Sequence, residues 1–284
     1  MTIPEWRHVP EEQPPQRPAT GRPVFLKGSR PRCVRLVEES RTDRSATADL
    51  LSDVLLATPS AISVHDQWMP FGLPARTAIG AENTIASGEI DLTLPNPFLT
   101  EHESSALSDW WFGGNPRQAP TRSNRSKGPT WDLIASRGSQ GPWQARPRGL
   151  VLVEAKAHHD ETFARAPKPQ IDNQSKEITE SLGRHPLFFG GGYNAAIYQL
   201  QNRFAVGLKL AELGFEVELV LLGFLNADEM DRPFVTHEDW ERHIQEVSGE
   251  DVYAAVWHAP AKPIGALGGS FRARIRSTFI VLTF

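Results

Sequence analysis

Apolar residues fall in two rhythms along the chain. From Asn194 to Leu213, the residues Ala196, Leu200, Phe204, Leu208 and Ala211 recur at intervals of three or four. That spacing, four, four, four and three residues, predicts a long helix with one buried side, and Gly214 is placed to stop it. Pro97 to Phe112 also reads as a helix, with Thr100 as N-cap and Glu101 and Glu103 in the first turn, where the helix dipole favours acids. Leu50, Leu51, Val54 and Leu55 mark a third helix, capped by Ser45 or Thr47 and ended before Pro59. Asp239 to Val247 marks a fourth. The other rhythm is that of strands. Leu150-Val151-Leu152-Val153 is continuously apolar, as in a strand buried on both faces. Trp131–Ala135 precedes it across a Gly/Pro-rich connection, so Trp131–Ala135 and Arg148–Ala155 are expected to form a hairpin. Further strands are predicted at Glu89–Leu94, where Ile90, Leu92 and Leu94 share a face, at Glu216–Phe224 and at Phe271–Phe284. The sum is an α/β fold, a mixed central β-sheet flanked by helices. Residues 1 to about 32 are rich in Pro, Glu, Gln and Arg without periodicity. We therefore divide the chain into an arm, 1–44, and a single domain, 45–284.

Composition narrows the classes. At 284 residues, the chain can bury a large core unaided. No apolar run is long enough to span a bilayer, and Met1-Thr2-Ile3-Pro4-Glu5 is not a secretory signal, so a cytoplasmic location is expected. The single cysteine, Cys33, excludes a disulfide framework and a Cys-cluster zinc site. The net charge of −4 argues against binding nucleic acid by bulk electrostatics. Asn115 to Arg148, however, carries seven cations and one acid, Asp132. Arg122, Arg125, Lys127 and Arg137 in that stretch are the candidate contacts to a polyanion. A solvated loop with scattered arginines is the plainer reading of the same residues.

Asp132, Glu154 and Lys156 stand out by position. Asp132 lies in an apolar strand, and Glu154 ends the buried run. Lys156 shares a face with Glu154, because strand side chains repeat with period two. A hairpin brings Asp132 toward Glu154, and two close carboxylates repel unless they share protons or bind a cation. With the carbonyl of Ala155 they would suit Mg²⁺ or Mn²⁺, a hard ion content with oxygen ligands and water. Such an ion would activate water and polarise a phosphodiester. Lys156 would orient the attacking water and offset developing charge.

The pattern Trp131-Asp132-Leu133-Ile134-Ala135, then Leu150-Val151-Leu152-Val153-Glu154-Ala155-Lys156, resembles the core motif of the PD-(D/E)XK, or restriction-endonuclease-like, nuclease superfamily. The helix from Tyr198-Gln199-Leu200 onward and the strand Val217–Phe224 match that family's layout after the motif, so the resemblance spans about residues 98–226. It implies a restriction-endonuclease-like core and a Mg²⁺- or Mn²⁺-dependent endodeoxyribonuclease. Asp132 and Glu154 would bind the metal, and Lys156 would be catalytic. Glu103, with Glu101 second, would be the glutamate of the preceding helix, and Gln199 the glutamine that some branches bring to the site. Thr130-Trp131 replaces the family's proline. Arg203 stands where such branches place tyrosine, and a phosphate contact or a surface cap is open to it. A homodimer would supply the two sites that cutting a duplex takes. The alternative is a catalytically inactive module of this fold that binds nucleic acid or a protein partner; a third reading makes the Asp-Glu-Lys cluster a structural ion-pair network.

Other motifs compete. Asp91, in Gly88-Glu89-Ile90-Asp91-Leu92, is the rival to Asp132 as metal ligand. His158 and His159 are adjacent, so they point to opposite sides of an extended chain and read as a polar loop beside the site. The glycines 190–192 lack a P-loop's lysine and read as an entry to the long helix. Trp110, Trp111, Trp131 and Trp143 could stack on bases, but aromatics flanking strands favour the core for at least two of them.

Overall fold

Hydrophobic alternation on the central strands sorts the molecule into two layers around one sheet. A computed structural model describes residues 29–38, 43–56, 61–69, 90–94, 96–113, 128, 130–138, 149–161, 198–228, 230–248 and 273–281. The elements, in order, are α1 (Ser29–Glu38), α2 (Arg44–Leu51), β1 (Trp68–Met69), β2 (Ile90–Asp91), α3 (Glu101–Trp111), β3 (Thr130–Trp131), β4 (Leu133–Arg137), β5 (Gly149–Lys156), α4 (Tyr198–Glu212), β6 (Glu216–Leu225), α5 (His237–Ser248) and β7 (Ala273–Val281). Five strands form a mixed sheet in the order β1-β4-β5-β6-β7, and β2 pairs with β3 beside it. The pairs β1/β4 and β4/β5 are antiparallel, and β5/β6 and β6/β7 are parallel. The fold is thus α/β with a mixed sheet, and the expected hairpin is present with Leu133 opposite Val153.

Each face of the sheet has its own core. Ile134, Leu150, Leu152, Val217, Leu219 and Leu221 meet residues of α3, α4 and α5, among them Leu107, Trp111, Leu200, Phe204, Trp240 and Ile244. Leu133, Ala135, Val151, Val153, Ala155, Val220 and Leu222 meet α1, α2 and Trp68 on the other face. Burial on both faces explains why β5 and β6 read as unbroken apolar runs. Trp111 and Trp131 are core residues and Trp110 packs beside them, whereas Trp143 lies outside the described residues.

Three boundaries differ from expectation. The arm placed at 1–44 gives way at Ser29 to α1, whose Cys33, Leu36 and Val37 are fully buried against the sheet. Those three positions form a helical stripe, but prolines and arginines around them dilute the signal. The cap of α2 is Asp43, which accepts from Ser45 N and Ala46 N, rather than Ser45 or Thr47. Helix then continues into a wider π-helical turn, Ser52–Leu56. The strand expected at Glu89–Leu94 is only Ile90–Asp91, because Asp91 turns the chain: its carboxylate accepts from Thr93 N at 2.9 Å and Thr93 Oγ1 at 2.6 Å. Gly214 ends the long helix as expected. It has φ of 97°, and Phe215 N donates to Leu210 O while Gly214 N donates to Ala211 O, the paired bonds of a Schellman stop.

Candidate active site

The C-terminal end of β5 carries the site, and an irregularity in the hairpin sets its shape. Asp132 N donates to Val153 O at 3.1 Å, although Val153 is already opposite Leu133. Two residues of one strand therefore face one of the other, which is a β-bulge. The cores agree: Trp131 and Ile134 lie in the same one while Leu133 lies in the other. Strict alternation would put Trp131 with Leu133 instead. Asp132 is the surplus residue, freed from the alternation. Its Oδ2 accepts from Ala155 N at 2.8 Å, which fixes the carboxylate at the strand end.

Glu154 and Lys156 share the face covered by α4. Lys156 Nζ donates to Glu154 Oε1 at 2.7 Å, and Arg203 Nε donates to Glu154 Oε2 at 2.6 Å. Gln199 Oε1 accepts from Lys156 Nζ at 3.4 Å. Gln199 and Arg203 are four apart on α4, a rise of about 6 Å, and Glu154 and Lys156 are two apart on β5, a rise of about 6.6 Å. The match lets one helix face bridge both strand residues. Arg203 also lies over the Trp131 ring, 5.0 Å from its centroid. Glu154, Lys156 and Arg203 are all buried.

Electrostatics separates the two carboxylates. Partial burial and the nearby charge of Glu154 push the Asp132 carboxyl up to about 7. Burial also works against the charge on Glu154, but Arg203 and Lys156 overcome it and hold its carboxyl down at about 2. Burial opposes the Lys156 ammonium, yet Glu154 and Asp132 raise its pKa. The set therefore keeps Glu154 charged and leaves Asp132 poised for a cation or a proton. Among the described residues, no group of three or more His, Cys, Asp or Glu side chains could hold a metal ion. What the cluster offers is two carboxylates, hard oxygen donors that fit a divalent ion keeping several waters.

Several expected participants have other partners. Glu103 closes a capping box on α3: its Oε2 accepts from Thr100 N at 2.8 Å and Thr100 Oγ1 at 2.9 Å. A helix cap, rather than a metal, explains its place. The rival Asp91 holds a turn, its Oδ2 accepting from Gly128 N at 2.8 Å. Arg137 is largely buried: it spans Gly149 to reach Glu216 at 3.5 Å and Glu218 at 3.7 Å, at the opposite end of β5. Arg203 neither caps a surface nor projects outward, since Glu154 holds it inside. Arg122, Arg125 and Lys127 lie outside the described residues, as do glycines 190–192. The two histidines do diverge, His158 facing Glu161 at 3.9 Å and His159 facing Asp239 at 3.3 Å.

Two neighbours escaped sequence reasoning. Glu161 Oε2 accepts from Ala157 N at 2.6 Å, and its Oε1 accepts from Ser29 N at 3.0 Å, tying the end of β5 to the start of α1. Cys33 of α1 is fully buried, and burial together with Asp132, Glu161 and Glu154 pushes its thiol up, so it stays protonated. An acid five residues beyond Lys156 carries no periodic signal that marks it as an anchor.

Scans against protein-family models, curated proteins and solved structures find no match for this chain.

Proposed function

We propose that the chain is a divalent-metal-dependent phosphodiesterase, a DNA endonuclease of PD-(D/E)XK type. The observation that carries this reading is the meeting of Asp132, Glu154, Lys156 and Gln199 at one strand end. The order β4, β5, α4, β6, antiparallel then parallel, supports a restriction-endonuclease-like core. Asp132 and Glu154 would hold Mg²⁺ or Mn²⁺, which when bound supplies Lewis acidity and an acidified water. Lys156, charged and steadied by Gln199, sits where it can orient the attacking water and offset charge on the phosphate oxygens. The protein is proposed to act on DNA, with RNA as the second substrate to test. Plasmid nicking in a Mg²⁺ and Mn²⁺ titration is the test, with metal binding followed in parallel. A protein that binds neither ion and cuts no DNA or RNA is not a nuclease.

A second reading has its own observation. Both oxygens of Glu154 are already bonded to cations, as in an ion network that only holds α4 to the sheet. A catalytically inactive module of the same fold would keep salt-sensitive affinity for nucleic acid without metal-dependent cutting.

A further inference from the structure

We propose that Arg203 is an exchangeable counter-ion: it neutralises Glu154 while the metal is absent and passes to a substrate phosphate when the metal arrives. This rests on the nuclease reading and adds a coupling between the two ligands of the site. Glu154 must give up a partner before it can bind a metal, because Oε1 meets Lys156 and Oε2 meets Arg203. Lys156 is poorly suited to leave. It is two residues along the same strand, on the same face, and Gln199 engages its ammonium as well. Arg203 comes from a separate element and is better suited to leave.

The form of its contact favours exchange. Arg203 meets Glu154 through Nε at 2.6 Å, so neither terminal nitrogen is the atom spent on that bond. A guanidinium's terminal pair matches two oxygens of a phosphate, which an ammonium cannot do. Trp131 underlies the guanidinium at 5.0 Å and can keep its plane oriented while the partner changes. A metal on Glu154 removes the reason for Arg203 to stay there. A phosphate that draws Arg203 away frees Oε2 for the metal. Each ligand therefore tightens the other, and the two effects are equal by linkage. In the resting protein, Arg203 acts as a competitor of the metal and keeps its affinity low.

The test measures Mn²⁺ binding to the full-length chain by electron paramagnetic resonance of free Mn²⁺, with and without a short phosphorothioate oligonucleotide. Wild type is expected to bind Mn²⁺ about tenfold more tightly when the oligonucleotide is present. Arg203→Met is expected to bind Mn²⁺ about tenfold more tightly than wild type without oligonucleotide, and to gain nothing further from adding it. Arg203→Lys, which keeps the charge in case the methionine variant fails to fold, should retain weak resting affinity but lose most of the coupling. A purely structural Arg203 gives the opposite pattern: a destabilised variant whose Mn²⁺ affinity is unchanged or lower, and oligonucleotide coupling that persists. Either result overturns the exchange. Absence of Mn²⁺ binding in all three proteins overturns the metal site itself, and the exchange with it.

Discussion

At its first residue, β5 lies beside an arginine shared by two glutamates; at its end, it carries a glutamate shared by two cations. The first cluster, Arg137 with Glu216 and Glu218, crosses three adjacent strands in regular register at 3.5 and 3.7 Å. Arg137 fits there because residue 149 is glycine: a Cβ would stand 2.3 Å from Arg137 Cγ. The second cluster is tighter, at 2.6 and 2.7 Å, and adds a further carboxylate on a bulge. One cluster fits the sheet's own geometry. The other requires a break in it and leaves an acid whose charge burial disfavours. Buried ions alone do not mark a site; a departure from regular backbone that brings an acid to the charged group is the better sign.

The contrast can be broken in four ways. Removing the shared carboxylate should have the largest effect. Glu154→Ala strands Lys156 and Arg203 in the core and is expected to cost roughly 3–5 kcal/mol in urea denaturation. Arg137→Met, whose partner Glu216 is a third exposed, is expected to cost about 1–3 kcal/mol. Equal losses would erase the distinction between the ends. Cleavage should separate them further. Lys156→Met is expected to lower plasmid nicking by about 10²–10³-fold while the protein stays folded, whereas Arg137→Met should nick as wild type does.

The third test uses pH. Asp132 has a carboxyl at about 7 in the folded protein against an ordinary 3.8. A raised carboxyl stabilises the protonated fold, so this contribution is complete below about pH 4 and is lost as pH rises through 7. Glu154 acts in the opposite sense, but only between about 4.5 and 2. Buried His243, held down at about 4, pulls the other way between about 4 and 6.5. The Asp132 contribution is therefore read as a difference: relative to Asp132→Asn, metal-free wild type should lose stability from pH 5 to pH 7.5. Mn²⁺ must displace the same proton, so its affinity should rise up to about tenfold per pH unit below 7 and level off above. Mn²⁺ affinity that does not change with pH, together with a wild type whose stability tracks Asp132→Asn, removes the poised acid. The smallest effect is expected at α3. Glu103→Gln should cost roughly half a kcal/mol or less, because glutamine can still close the capping box, and should leave Mn²⁺ affinity unchanged.

These outcomes bear on how far the chain could be read from its residues. The hairpin, the long helix and its stop at Gly214 were legible because each rests on local periodicity or one special φ. Glu154 and Lys156 were legible as a same-face pair for the same reason. Arg203 was placed near the site, but its partner was not legible. Which face of α4 meets β5 depends on the crossover, and a four-residue spacing on a helix has many matches. Arg137 misled because a cation in a basic stretch reads as surface, whereas its acids stand 79 and 81 positions away in the chain. Glu103 misled for a simpler reason: the capping box and a metal ligand call for the same residue in the same first turn.

The bulge carries one more consequence, and it concerns chain length. With Asp132 left out, Trp131 would adjoin Leu133, and the strand would alternate faithfully between the two cores already occupied by Trp131, Leu133, Ile134 and Ala135. Every buried side chain would keep its face. The sheet thus has no need of residue 132, and a single-codon deletion is expected to give a regular, well-folded hairpin lacking the acid. Substitutions would grade the proposed chemistry; an indel at this one position is expected to remove it while leaving the scaffold intact.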